Sequence, residues 1–200
     1  MNTDQIFRNE SGISTDFAFT KKVAEVFDDM VLRSIPYYIE IQRMISELSL
    51  EYALPETTVY DLGCSTGTTM IALNKVLPEN VRFVGIDNSS EMLKVCASNI
   101  NNEGFTRPCD LINADLNKPI TLKQANMAIL CLTLQFVRPM NRLQLLTRIH
   151  EQLNPGGSLI VVEKILSEDP VFNRSMIRYY YDFKRRNQYN EIEIAQKREA

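Results

Sequence analysis

Across residues 57–163 the apolar positions follow two rhythms in turn. Short β-rich runs at 57–62, 81–87, 110–114, 126–133 and 158–163 read as strands. Helical spacing fills 68–77, 89–102 and 139–153. The run Asn126-Met127-Ala128-Ile129-Leu130-Cys131-Leu132-Thr133 is almost unbroken in its apolar character, as a central parallel strand covered on both faces should be. Upstream, Val23, Val26, Phe27, Met30 and Val31, then Ile41, Met44, Ile45 and Leu48, recur at helical spacing. Pro36 should split this stretch into two helices, with Arg33-Ser34-Ile35 as the boundary. Downstream, 170–187 and 191–198 look helical, whereas 1–22 are polar and mixed and read as an arm. Alternating strands and helices joined by right-handed crossovers predict an α/β chain with a doubly wound, mostly parallel sheet. The expected layout is one domain over 23–200, with a helical cap (23–50), a core (57–164) and lid or dimer helices (168–200).

Composition narrows the classes. With 200 residues, 44% hydrophobic and 24% charged, the chain has enough apolar material for a sizeable core. A formal charge of −3 argues against a broad electrostatic grip on nucleic acid. No apolar run reaches the roughly 18–20 residues of a membrane span, and the polar N-terminus has no signal-like apolar stretch. The cytoplasm is the expected location. Cys64, Cys96, Cys109 and Cys131 have no C-x-x-C spacing and no histidine near them, which disfavours a zinc site or a disulfide framework. His150, among Leu146, Ile149 and Leu153, reads as structural rather than catalytic.

The candidate chemistry lies at Val59-Tyr60-Asp61-Leu62-Gly63-Cys64-Ser65-Thr66-Gly67, where a strand breaks into a glycine turn before a helix. Glycine is wanted where the backbone turns tightly and approaches a ligand. Asp87 ends the second strand, twenty residues beyond Gly67, where such units place the acid that grips a ribose diol. A Walker loop is excluded, because no Gly-Lys-Ser or Gly-Lys-Thr follows. A dinucleotide site would want G-x-G-x-x-G, and Ser65 stands between the glycines. S-adenosyl-L-methionine (SAM) has no pyrophosphate and relaxes that demand, so the order Asp61-Leu62-Gly63-x-Ser65-x-Gly67, Asp87, Ala114-Asp115 favours SAM over NAD. It resembles a class I SAM-dependent methyltransferase, with a Rossmann-like fold implied. Plainer roles are open to each acid. Asp87 can cap the helix at Ser89, Asp115 can be a loop residue before Pro119, and Asp61 can shape the loop by accepting backbone N–H groups.

A closer resemblance covers residue 23 to the chain end. The segments Val23-Ala-Glu-Val-Phe-Asp-Asp-Met30, Arg33-Ser-Ile-Pro36 followed by Tyr38, Val59-Tyr-Asp-Leu-Gly-Cys-Ser65, Ile86-Asp-Asn-Ser89, Thr133-Leu-Gln-Phe136, Leu153-Asn-Pro-Gly-Gly157, Asp182-Phe-Lys-Arg185 and Gln196-Lys-Arg198 are similar to the carboxy-S-adenosyl-L-methionine synthase family. The resemblance implies an enzyme that converts SAM and prephenate to carboxy-SAM and phenylpyruvate, for later modification of a tRNA wobble uridine by a partner enzyme. It places Tyr38 over the ligand, Gly63, Cys64 and Ser65 along the amino-acid end, and Asp87 with Asn88 at ribose and adenine. Asp115 and Leu116 would flank adenine, Cys131 would face the ligand, and Arg198 would pair with the added carboxylate as a bidentate guanidinium can. A homodimer without direct nucleic-acid or membrane contact is implied as well.

Three departures stand out. The family usually carries asparagine at Cys131 and glycine at Tyr37, and it continues past residue 200 with a further helix and a last antiparallel strand pair. Without that pair the fifth strand is an open edge. The alternatives are an ordinary methyltransferase, or a truncated SAM-binding protein without catalysis. Thr133-Leu-Gln-Phe136 is unlike the Asn-Pro-Pro-Tyr motif used on nucleic-acid bases, and the basic, aromatic stretch 179–186 reads as a lid or dimer helix rather than an RNA contact.

Overall fold

The computed structural model describes residues 3, 4 and 20–199, the side chains of 196–199 excepted. Contacts divide the chain into two compact units, one formed by 40–164 and the other by residues up to 39 together with 165–200.

The larger unit carries the alternation. Its elements are β1 (Thr58–Leu62), α4 (Thr68–Asn74), β2 (Arg82–Asp87), α5 (Ser90–Asn102), β3 (Cys109–Asn113), β4 (Ala125–Cys131), α6 (Pro139–Gln152) and β5 (Leu153–Val162). Most of α3 (Tyr38–Tyr52) precedes them in the same unit. The five strands are all parallel in the order β3-β2-β1-β4-β5. This is the doubly wound α/β sheet the pattern predicts. The chain reverses direction across the sheet between β1 and β4, and such a switch point opens a crevice at the strands' carboxyl ends.

Period-two alternation sorts the strand residues onto two faces. Val59, Phe83, Met127 and Ile129 pack on one side against Ile45 of α3, Met70 and Leu73 of α4, and Cys96 and Ile100 of α5. Tyr60, Leu62, Val84, Ile86, Ala128 and Leu130 pack on the other against Leu145 and Ile149 of α6 and the loop residues Leu116, Ile120 and Leu122. Every residue of β1 is buried, as a central strand requires. The helix starts follow the sequence: Ser89 Oγ accepts the Met92 N–H at 3.2 Å, and Pro139 opens α6.

Two boundaries differ from expectation. Asn154-Pro155-Gly156-Gly157 does not precede the fifth strand but sits inside it. The pairing jumps from Ala125↔Leu153 to Met127↔Ser158, so the turn-like residues bulge while ladder pairing resumes beyond them. The helical stretch after residue 20 breaks at Glu25–Val26 as well as at Pro36, giving α1 (Lys21–Ala24) and α2 (Phe27–Ser34).

The smaller unit joins α1 and α2 with α7 (Pro170–Arg186) and α8 (Glu191–Glu199). Asp169 caps α7 by accepting the Val171 and Phe172 N–H groups at 2.8 and 2.7 Å. Arg33 ties distant segments together. Its Nε donates to Asn187 O at 2.8 Å, its Nη1 donates to Asp4 O at 3.1 Å and Asp29 Oδ2 at 3.2 Å, and its guanidinium stacks over the Tyr189 ring. Tyr189 in turn donates its hydroxyl to Asp4 Oδ2 at 2.6 Å. The rest of the expected 1–22 arm lies outside the described residues, apart from residues 3, 4 and 20–22. Among the described residues, no helix is long and apolar enough to cross a membrane.

Candidate functional site

The crevice is built on the turn after β1. Gly63 and Gly67 sit at φ +83 and +87, a region that L side chains rarely enter. At Gly63 space decides as well as torsion, since a Cβ there would collide with the Thr133 side chain just beyond β4. The turn is fastened from within. Gly63 and Cys64 donate their N–H groups to Ile86 O at 2.7 and 3.0 Å, Gly67 donates to Cys64 O at 2.8 Å, and Ser65 donates to Asp87 Oδ2 at 3.0 Å.

Asp87 is therefore more than the cap of a helix. One oxygen holds the Ser65 N–H and the other the Ser89 N–H at 2.8 Å, so a single carboxylate links the glycine turn to the head of α5. Burial raises its pKa, and the backbone N–H groups of Ser89, Ser65 and Asn88 pull back against that rise. Asn88, exposed beside it, lines a cavity of about 370 Å³ with Asn113, Ala114, Asp115, Lys118 and Pro119. Asp115 accepts from the Asn117 backbone and side chain, both at 2.9 Å, and these bonds lower its pKa. It is both a loop-shaping residue and part of the cavity wall. Leu116 is buried in the core on the α6 side of the sheet.

Cys64 and Cys131 differ in what they offer. The Cys64 thiol lies in the core, hydrogen-bonded to Cys96, and that bond and burial hold it neutral. Cys131, half-buried at the end of β4, has its thiol pushed up to about 12, first by burial and then by the charge of Asp61. Tyr38 is half-buried at the start of α3, and the preceding Tyr37 is exposed with φ +58. Arg198 lies in α8, but its side chain is outside the described residues. His150 is exposed at the end of α6, just before β5 begins, at the opposite end of the strands from the crevice.

The expected role of Asp61 needs correction. The N–H groups of Gly63, Cys64, Ser65 and Gly67 go to Ile86, Asp87 and Cys64, and Asp61 Oδ2 is buried with no hydrogen-bond partner. Burial, then the charge of Asp87, pushes its carboxyl up to about 7. Sequence reasoning did not find Gln42 of α3, whose Nε2 donates to Cys131 Sγ at 3.8 Å while its Oε1 is buried without a partner. Nor did it single out Asn113 and Lys118 in the cavity wall, where only their nearness to Asp115 in sequence could have marked them. A turn whose glycines have no room for a side chain, a ribose-type acid, a cavity beside it and buried acceptors without donors together fit SAM.

Comparisons agree with that chemistry. Residues 59–157 match a family described as a methyltransferase domain. A solved candidate SAM-dependent methyltransferase from Methanococcus maripaludis superposes with a TM-score of 0.61 at 19% identity, over 94% of this chain and 86% of its own, a likeness of fold. A protein of Methylococcus capsulatus named carboxy-S-adenosyl-L-methionine synthase is 49% identical over 100% of this chain and 83% of its own length. Another of that name from Aliivibrio salmonicida is 42% identical over 100% of this chain and 82% of its own. With nearly half its residues shared along its whole length with such a relative, the chain belongs to the carboxy-S-adenosyl-L-methionine synthase family.

Proposed function

We propose that the protein converts SAM and prephenate to carboxy-SAM and phenylpyruvate in the cytoplasm, supplying carboxy-SAM for modification of a tRNA wobble uridine. The observation that carries this reading is likeness along the whole chain, including helices outside the methyltransferase-type segment, to relatives of that name. Positive sulfur makes the methyl protons of SAM acidic by stabilising the adjacent carbanion. Prephenate aromatises to phenylpyruvate and releases carbon dioxide and hydroxide. Hydroxide takes a methyl proton and leaves as water, and the carbanion adds carbon dioxide to form the new carbon–carbon bond. No side-chain base is required, and the protein's part is proximity, exclusion of water and charge placement. Gly63, Cys64 and Ser65 would bound the amino-acid end, Asp87 and Asn88 the ribose side, and Asp115 and Leu116 the adenine. Tyr38 would cover the ligand, and Arg198 would pair with the carboxylate gained in the reaction.

The protein acts as a homodimer in this reading, supported by exposed Phe172, Met176 and Tyr179, which recur along one side of α7. Several basic residues of that helix are engaged locally. Arg185 pairs with Asp182 and Glu191, and Lys184 lies over the Tyr180 ring, which favours a protein surface over an RNA contact.

The test is mass spectrometry of small molecules after incubating the purified chain with SAM and prephenate. A product heavier than SAM by one carbon dioxide, formed with phenylpyruvate, is expected. Bound SAM that stays unchanged, or loses its methyl to an acceptor, would reject synthesis.

A further inference from the structure

Two buried acceptors lie at one end of one sheet face. Asp61 pairs in register with Ile129 of β4, and Cys131 follows two residues on, so Asp61, Ile129 and Cys131 project to the same side. That is the face on which Ile45 of α3 packs, and Gln42 reaches Cys131 from the same helix. Gln42 is 7% and Asp61 2% exposed. One N–H of the Gln42 amide goes to the Cys131 sulfur, which leaves the amide oxygen buried without a donor, and Asp61 likewise has a buried oxygen without one. The neighbouring turn cannot supply the donors, because the N–H groups of Gly63, Cys64, Ser65 and Gly67 are all spent inside the protein. Buried acceptors are normally matched by donors. A compact cation with several N–H groups meets this demand, and an ammonium carries three.

Resting on the reading of this crevice as a SAM site, we propose that Gln42 is a further ligand contact, its Oε1 accepting a hydrogen bond from the α-ammonium of the ligand beside Asp61 Oδ2. The Cys131 sulfur acts through Gln42 by holding the amide so that its oxygen faces the ligand. The strand-end position is then a positioning residue, and the helix supplies the polar contact.

Calorimetric titration of the full chain tests this with three probes: SAM, S-adenosylhomocysteine, which keeps the ammonium but lacks the sulfonium charge, and 5′-methylthioadenosine, which lacks the amino-acid end. Gln42→Leu should weaken SAM and S-adenosylhomocysteine about tenfold or more, the worth of a hydrogen bond to a charged group, and leave methylthioadenosine within about twofold. Gln42→Glu, which keeps an acceptor oxygen, should restore both. Gln42→Asn, with the amide withdrawn by one methylene, carries the leucine expectation should that variant fail to fold. Unchanged SAM affinity, an equal loss for methylthioadenosine, or a loss confined to SAM would each overturn the assignment. Failure of the unmutated protein to bind any of the three would instead reject the SAM site itself, and the assignment with it.

Discussion

At the scale of single residues, two carboxyl groups share the end of the sheet and are treated differently. Asp87 is held by backbone N–H groups, whereas Asp61 Oδ2 meets no donor. With its carboxyl pushed from 3.8 up to about 7, Asp61 keeps a proton in the folded chain over an interval where the unfolded chain has released it. Its contribution to stability is full below the ordinary value of 3.8 and is lost as pH rises through about 7. The loss is on the order of 4 kcal/mol. Urea midpoints of the ligand-free protein should fall from about pH 4 to about pH 7 and level off above that, and Asp61→Asn should flatten the slope. An unaltered slope would mean that Asp61 ionises normally. Tyr37 makes a second case, at φ +58 and 79% exposed. Left-handed strain of about 1–2 kcal/mol outweighs the roughly 0.5–1 kcal/mol that a glycine's chain freedom costs. Tyr37→Gly should therefore raise stability by about 0.5–1 kcal/mol in urea titration, and a drop would show that the ring packs against something that holds it.

Among the elements, a polar knot around Arg33 and Tyr189 ties the segments of the smaller unit together. Tyr189→Phe removes the donor to Asp4 Oδ2 and should cost about 1–3 kcal/mol, read as a lowered urea midpoint with an unchanged slope. No change would mean that Asp4 finds another donor at no cost. The same scale shows what the sequence makes readable. The Gly63–Gly67 turn, the acid ending β2, the Ser89 cap and the unbroken apolar run of β4 are local patterns, and each fixes local backbone geometry. The early start of β5 is not local. Asn154-Pro155-Gly156-Gly157 has turn chemistry by composition, and only pairing with β4 on both sides makes it a bulge. Gln42 is illegible for a related reason. A polar residue beside Ile41 reads as the outer side of an amphipathic helix, and it becomes an internal acceptor only because α3 packs where β4 ends. Asp61 shares the motif with its neighbours, but its lack of a partner depends on where the turn's N–H groups go.

For the whole molecule, a charge of −3 and the exposed Phe172, Met176 and Tyr179 pose a question of assembly. Sedimentation of the purified chain should report a dimer, and Phe172→Glu combined with Met176→Glu should shift it to a monomer. A wild-type monomer would exclude α7 as a dimer face. The fastening of the turn after β1 has its own consequence for life in a mixed metabolite pool. A phosphate group needs donors, and at Gly63, Cys64, Ser65 and Gly67 the backbone donors are already engaged, while the Asp87 carboxylate and the unpartnered Asp61 oxygen lie close by. Adenine nucleotides share the adenosine that the crevice reads, yet their phosphates meet acceptors and like charge at its far end. The wiring of one turn thus withholds the donors that a phosphate would need, a built-in bias against nucleoside polyphosphates.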